Sequence, residues 1–240
     1  MKQSNRPLYR LIAMLLILIT GFYMITKKAP LTPAEQSAYS EIKPGLVQKA
    51  DYYSLRPDGE VSGGVIIFPD SMEDPASYAP MAKKLAEQGF EIRVVKYPLG
   101  FIQLSGAHRK ILEDGNQLPW VSLGFGQGSD KACSLADKST LVAGLILTGI
   151  CASKVNLNDN DVQVKVYQLA DQPYPVDQLP EIRKRLPADT EFITVETIGE
   201  MMAEIPGEPS EMSITMQQQT LVSEIKEILM KKVVNLRNKK

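Results

Sequence analysis

Hydrophobic and polar positions divide the chain into three stretches with different patterns. The first is an uncharged apolar run from Leu11 to Ile25, preceded by Lys2, Arg6 and Arg10 and closed by Lys27 and Lys28. It has no polar face, unlike the one-sided helix of a soluble core. At about 1.5 Å per residue, helix from Leu8 to Thr26 is just long enough to cross hydrocarbon if the Arg10 side chain reaches back to the interface. A cleaved signal shares the basic start and apolar middle. However, Thr26-Lys27-Lys28-Ala29-Pro30 is a poor small-x-small cleavage site, which favours an uncleaved anchor over residues 1–28. Basic charge on both flanks sets orientation only weakly, with a lean toward an inside N-terminus. The expectation is a single-pass protein of the cell membrane that contacts membrane lipid through this helix and holds its soluble domain outside the cytoplasm.

The second stretch, residues 29–50, carries Pro30, Pro33 and Pro44 in polar surroundings and reads as a stalk with one short helix. From residue 51 to 240, short apolar runs alternate with segments of helical period. Tyr52 to Arg56 is a strand followed by the turn Pro57-Asp58-Gly59. Val65-Ile66-Ile67-Phe68 is wholly apolar and rich in β-branched residues, as in a strand covered on both faces. Tyr78, Met81, Ala82 and Leu85 then recur at helical spacing, with Asp74 or Ser77 as cap and Gly89 as stop. Further strands follow at Ile92–Val95, Trp120–Leu123, Leu145–Thr148, Val162–Leu169 and Phe192–Val195. Helices are expected around His108–Leu112, Gly128–Ala136 and Val176–Leu186, and Leu221, Ile225, Ile228, Leu229 and Val233 mark an amphipathic C-terminal helix. Strands alternating with helices imply an α/β domain, a mostly parallel sheet with helices on both faces. Ligands of such sheets bind at the carboxyl ends of the strands.

Composition narrows the chemistry. The 240 residues suffice for one domain and an appendage. A formal net charge of -1 argues against a nucleic-acid partner. The chain holds 1 histidine, His108, so sites that rely on imidazole have little to draw on. Cys133 and Cys151 lack metal-ligand spacing; they read as two buried thiols, with a disulfide open if the domain is exported. Asn156-Leu157-Asn158-Asp159-Asn160-Asp161 alternates oxygen-bearing side chains as calcium loops do, but lacks the central Gly and terminal Glu and reads as a solvated turn. No metal and no cofactor is expected.

The sharpest local feature is Trp120-Val121-Ser122-Leu123-Gly124-Phe125-Gly126-Gln127-Gly128, a strand running through three alternate glycines into a helix. It is neither G-x-G-x-x-G nor a P-loop, because Ser129 and Asp130 follow Gly128. It has the shape of the G-x-S-x-G nucleophile elbow, whose middle residue stands exposed above the sheet. Here that residue is Gly126. Ser129, in the first helical turn, reads as a capping residue before it reads as a displaced nucleophile.

Several stretches in order carry a family resemblance: Gly64-Val65-Ile66-Ile67-Phe68-Pro69, Asp74-Pro75-Ala76-Ser77-Tyr78-Ala79-Pro80-Met81-Ala82, Leu85-Ala86-Glu87-Gln88-Gly89-Phe90, Val94-Val95-Lys96-Tyr97-Pro98-Leu99 and Leu186-Pro187-Ala188-Asp189-Thr190. From about Val61 to Leu229 the chain resembles the small, lid-less bacterial α/β-hydrolases of the dienelactone-hydrolase-like kind. The resemblance implies the α/β-hydrolase fold and an acyl ester or lactone chemistry run by a Ser-His-Asp triad. It also places the functional positions. The nucleophile falls on Gly126, the triad acid on Asp171 and the triad histidine nearest Glu200, with no histidine after His108. The glycine pair that shapes the family's oxyanion pocket falls on Asp70 and Ser71, and Gln127 completes that region.

Serine acyl transfer needs a hydroxyl, a base in reach, a group orienting the base, and donors for the oxyanion. Only the acid is retained, and losses within a triad act together. A carboxylate at Asp70 would also oppose negative charge growing beside it. The expectation is a membrane-anchored hydrolase-fold protein impaired in serine hydrolysis, which binds an unidentified small molecule or protein through the old pocket. Its rival is an ester or lactone hydrolase with a rearranged site, in which His108 acts with Ser71, Ser105 or a water. Glu73, Asp171 and Glu200 ring the same end of the sheet, where a carboxylate-lined pocket would suit a cation, although solvated carboxylates are the plainer account. Met201, Met202, Met212 and Met216 fall near the same rim.

Overall fold

The computed structural model describes residues 12, 14–21, 23, 28–71, 73–97, 111–112, 118–151, 154–169, 179–195 and 221–232. Within them an 8-stranded sheet runs in the order β1-β2-β4-β3-β5-β6-β7-β8. The strands are β1 (Val47–Gln48), β2 (Tyr52–Leu55), β3 (Gly63–Phe68), β4 (Phe90–Val95), β5 (Trp120–Gly124), β6 (Val142–Leu147), β7 (Gln163–Leu169) and β8 (Glu191–Val195). β1 pairs with β2, and β2 with β4, antiparallel; every other pairing is parallel. The chain thus forms the mostly parallel sheet expected from its pattern.

Side-chain alternation divides the core between the two faces. Val65 and Ile67 of β3 point into one cluster, with Met81, Ala82 and Leu85 of α2 (Ala79–Glu87) and Leu221, Ile225, Ile228 and Leu229 of the C-terminal helix, residues 221–232. Ile66 and Phe68 point into the other, with Ala132, Cys133, Leu135 and Ala136 of α3 (Gly128–Lys138) and Ile182 of α4 (Leu179–Arg183). All four β3 side chains are fully buried, each contributing roughly 1.5–3 kcal/mol. This explains why the period-2 signal is absent from a strand covered on both sides. The strand order also fixes where a ligand can bind. From β3 the chain leaves to β4 on one side, and from β4 it returns to β5 on the other. β3 and β5 therefore flank the point where the winding reverses, the usual crevice of such sheets.

Three expectations need revision or completion. The two cysteines are not free thiols: Cys133 of α3 and Cys151, just beyond β6, form a disulfide with a Cα–Cα distance of 5.6 Å. Their buried environment was legible, but the pairing depends on α3 folding back over the end of β6. Within residues 29–50, the short helix α1 (Pro33–Ile42) does form, capped by Thr32 with Glu35 returning the bond. It packs on the sheet through Ile42, Ala38 and Tyr39, and β1 extends the sheet edge. Finally, among the described residues no helix is long and apolar enough to cross a membrane. Residues 12, 14–21 and 23 are helical, with Ile12, Met14, Leu15, Leu16, Ile17, Leu18 and Ile19 all exposed.

Candidate functional site

Strand register builds the site. Phe68 of β3 lies opposite Gly124 of β5, and Ile67 of β3 opposite Val94 of β4. Continuing both offsets just past the strand ends aligns Tyr97, Asp70 and Gly126 in one row across the carboxyl edge. A contact confirms the row at its centre: a Cβ added to Gly126 would lie 2.2 Å from Asp70 Oδ2.

The glycine-rich turn is an elbow by necessity. A Cβ on Gly128 would sit 2.2 Å from the Phe68 carbonyl oxygen, so only glycine lets α3 start against the end of β3. Gly126 has φ +48°, the left-handed conformation that glycine adopts without steric cost. The turn is pinned from β6: the Gly126 N–H donates to Thr148 Oγ1 at 3.1 Å, and the Thr148 N–H donates to the Gly124 carbonyl at 2.9 Å. Ser129 is fully buried and its hydroxyl donates to the Gly124 carbonyl at 2.9 Å. It locks the turn and presents no hydroxyl to solvent.

Asp70 fills the space above the elbow. Its Oδ1 accepts from the Ser71 N–H at 2.6 Å, the Ser71 hydroxyl at 3.4 Å and the Gln127 N–H at 3.4 Å. In a nucleophile elbow, the N–H after the central residue and an N–H from the loop beyond the neighbouring strand are the donors that receive an oxyanion. Both correspond here to donors already serving a carboxylate. Behind Asp70, the Tyr78 hydroxyl accepts from the Asp70 N–H at 3.3 Å and donates to Glu73 Oε2. Burial pushes the Glu73 carboxyl above its ordinary range; the Tyr78 hydroxyl acts against this, while the charges of Asp70 and Glu35 add to it. Burial likewise drives the Tyr78 phenol up, and Glu73 adds to the effect. The Tyr97 hydroxyl is buried and has no hydrogen-bond partner among the described residues. Burial raises its phenol, and the charge of Asp70 raises it further.

Residues 64–202, more than half of the chain, match the sequence model of the alpha/beta hydrolase family. The chain belongs to that family. Solved structures with the same hydrolase fold include a dienelactone hydrolase-like promiscuous phosphotriesterase from metagenomic libraries, 14% identical, with a TM-score of 0.53 over 75% of this chain and 94% of that one. Esterase 2 of Thermogutta terrifontis, phosphoramylated by tabun, is 14% identical with a TM-score of 0.54, covering 77% of this chain and 95% of the other. A putative thioesterase from Silicibacter is 11% identical with a TM-score of 0.55, over 80% and 89%. No curated protein sequence matches the chain.

Of the hydrolase positions assigned from sequence, Asp70, Ser71, Gly126 and Gln127 come together at the elbow. His108, Asp171 and Glu200 lie outside the described residues, as do Ser105 and the four rim methionines. Sequence reasoning passed over Tyr97, Tyr78 and Thr148. Tyr97 and Thr148 each follow the end of a strand, where the fold class directs attention, but neither carries a residue type that signals chemistry alone. Among the described residues no group of three or more His, Cys, Asp or Glu side chains is placed to hold a metal ion. What the arrangement offers is a set of acceptors. Among the described residues, Gly126 brings no side-chain nucleophile to the elbow, the Ser71 hydroxyl and the Ser71 and Gln127 N–H groups are directed at Asp70 Oδ1, and Asp70 Oδ2 accepts no hydrogen bond.

Proposed function

We propose that this α/β-hydrolase is tethered at a membrane and acts by binding a ligand or partner, without serine acyl transfer. The observation that carries the reading is the Asp70 carboxylate, held by the Ser71 and Gln127 N–H groups directly over Gly126. Acyl transfer builds negative charge on an oxygen that these donors would have to receive. Loss of a single such donor typically costs a factor of about 10²–10³ in rate. Here both are engaged by a fixed anion that also repels a second one. Gly126 supplies no attacking atom, so an external nucleophile would be needed as well.

Two features support tethering outside the cytoplasm. Among the described helical residues, Ile12 and Met14 to Ile19 expose their apolar side chains, a surface suited to lipid. The Cys133–Cys151 disulfide suits an oxidising compartment.

The test is an assay of the full chain in maltoside detergent against short-acyl nitrophenyl esters, alongside a fluorophosphonate probe. Neither turnover nor labelling is expected. Ester turnover that disappears in His108→Ala would overturn the reading in favour of an ester or lactone hydrolase working through a rearranged site.

A further inference from the structure

We infer that the carboxyl edge of the sheet, where Asp70 and Gly126 lie, is the end of the domain held against the bilayer, so that the lipid surface is its partner. This placement rests on the tethering reading and adds to it which face of the domain meets lipid.

The direction of α1 decides the face. At its C-terminal end Glu41 pairs with Lys83 of α2, and Ile42 and Gly45 border a groove shared with Ala86, Glu87 and Gly89. Gly89 directly precedes β4, so this end of α1 stands at the amino edge of the parallel strands. At the other end, α1 packs against the short helical turn Pro75–Tyr78, which follows β3 and leads into α2. The two helices therefore run side by side in the same direction. The 10 residues of α1 span about 15 Å, which puts its N-terminus at the carboxyl edge. The charge of Glu35, in the first turn, acts on Glu73 at that edge.

The link from this end to the proposed anchor is short. The Thr32 N–H donates to Glu35 Oε2 at 2.7 Å, and the Leu31 carbonyl accepts from Gln36 Nε2 at 3.1 Å. The chain is thus tied to α1 from Leu31 onward, and only Ala29 and Pro30 separate Leu31 from Lys28. Three residue steps reach at most about 11 Å, and the ring of Pro30 removes one backbone rotation. With Lys28 at the headgroups, the carboxyl edge is confined to a thin layer above the lipid at the point of entry. The amino edge lies farther out, since the 6 residues of β3 alone span about 20 Å. Carboxylates at the carboxyl edge, Asp70 and Asp74 among them, offer no attraction to a phosphate headgroup. The tether, not adhesion, sets the placement. Anything that reaches the elbow then passes through the layer next to the lipid.

The experiment places the full chain in phosphatidylcholine vesicles that carry a nitroxide on headgroups of both leaflets, so either orientation is read. The readout is quenching of a dye on one introduced thiol. The native cysteines are joined in a disulfide, so without reductant the dye takes only the new thiol. Gln127→Cys marks the carboxyl edge and Asp159→Cys the amino edge; both side chains are exposed. Melting by circular dichroism shows that each variant is folded, and Ser77→Cys reports the carboxyl edge if Gln127→Cys is not. Quenching several-fold stronger at 127 than at 159 is expected. A Gly-Ser segment inserted after Ala29, of about twelve residues and about 20 Å in r.m.s. length, should bring the ratio toward one. Equal quenching at the two positions, stronger quenching at 159, or a ratio that survives the insertion unchanged overturns the inference. Flotation separates it from the reading beneath it. A full chain that does not float with the vesicles sinks the tether and the placement together, whereas a floating chain with equal quenching sinks the placement alone.

Discussion

Asp70 and Gly126 act as one unit although they are distant in sequence. A side chain at 126 has to displace the Asp70 carboxylate and also adopt φ +48°. The left-handed conformation alone costs a non-glycine residue roughly 1–2 kcal/mol. Gly126→Ser is therefore expected to lower stability in urea unfolding by about 2 kcal/mol or more. Adding Asp70→Gly should recover the part due to the clash and leave the part due to φ. Coupling of about 0.5–3 kcal/mol is the expected result of the cycle; strict additivity would mean that the two residues do not share the space. Glu73 gives a second test, through pH. Its carboxyl is raised in the folded protein by burial above the reference value of 4.5. The native state therefore holds a proton that the unfolded state releases first. Stability from this group is fully present below about pH 4.5 and is lost as pH rises through the higher folded value. Glu73→Gln, which keeps an acceptor for Tyr78, should flatten that fall in Tm, and parallel Tm curves for the two proteins would contradict it. At this scale the glycine-rich elbow and the acidic residue just beyond β3 were legible in the sequence. It did not reveal that Asp70 takes both donors, because that depends on the exact β3–β5 register.

Elements were more legible than their contacts. Mainly apolar runs located β3, β4, β5 and β7 to within a residue or two, since strands covered by helices are rich in apolar residues. Periodicity does not explain the buried polar residues inside these strands, Ser122 of β5, Lys165 of β7 and above all the pair in β4. Glu91 and Arg93 are buried together, with Arg93 Nη2 2.6 Å from Glu91 Oε1 and its guanidinium 4.6 Å over the Trp120 ring. The Ile111 carbonyl, which accepts from Arg93, and the Arg56 guanidinium, 3.3 Å from Glu91 Oε2, complete the pair and make its burial tolerable. The disulfide is another contact that no pattern announces. It ties α3 to the chain just after β6, the stretch from which Thr148 holds the elbow. Closing a loop of 18 residues restricts the unfolded chain by about 3 kcal/mol in the entropy account. Cys133→Ala/Cys151→Ala should therefore lose about that much stability in urea, and because the bond braces β6 near the elbow, amide exchange should quicken at Thr148 and Gly126 before it does in β3. Uniform quickening across the sheet would show that the bond stabilises the domain without bracing the turn.

At the scale of the whole molecule, the proposed anchor and the proposed binding role belong to one argument. A hydrolase can work free in solution, whereas a protein that acts by binding, as proposed, would gain from being held at a surface. The run from Leu11 to Ile25 carries no charge, and leaving it in water would expose a large apolar patch of the kind that marks a membrane or protein contact. Helix from Leu8 to Thr26 would be close to the minimum for a span, so in an inserted chain Arg10 and Lys27 should lie at the two interfaces with their charged ends extended into water. The full chain is therefore expected to stay with the membrane pellet after alkaline carbonate extraction, while a chain beginning at Ala29 is released. Protease added to intact cells with a permeable outer envelope should degrade the domain, and thiol reagents should fail to label Cys133 and Cys151 until a reductant is added. Release of the full chain by carbonate, or recovery of a mature N-terminus near Ala29, would replace the anchor with a cleaved signal. Immediate thiol labelling of the unfolded chain would place the domain in a reducing compartment, and the orientation would then have to be reversed.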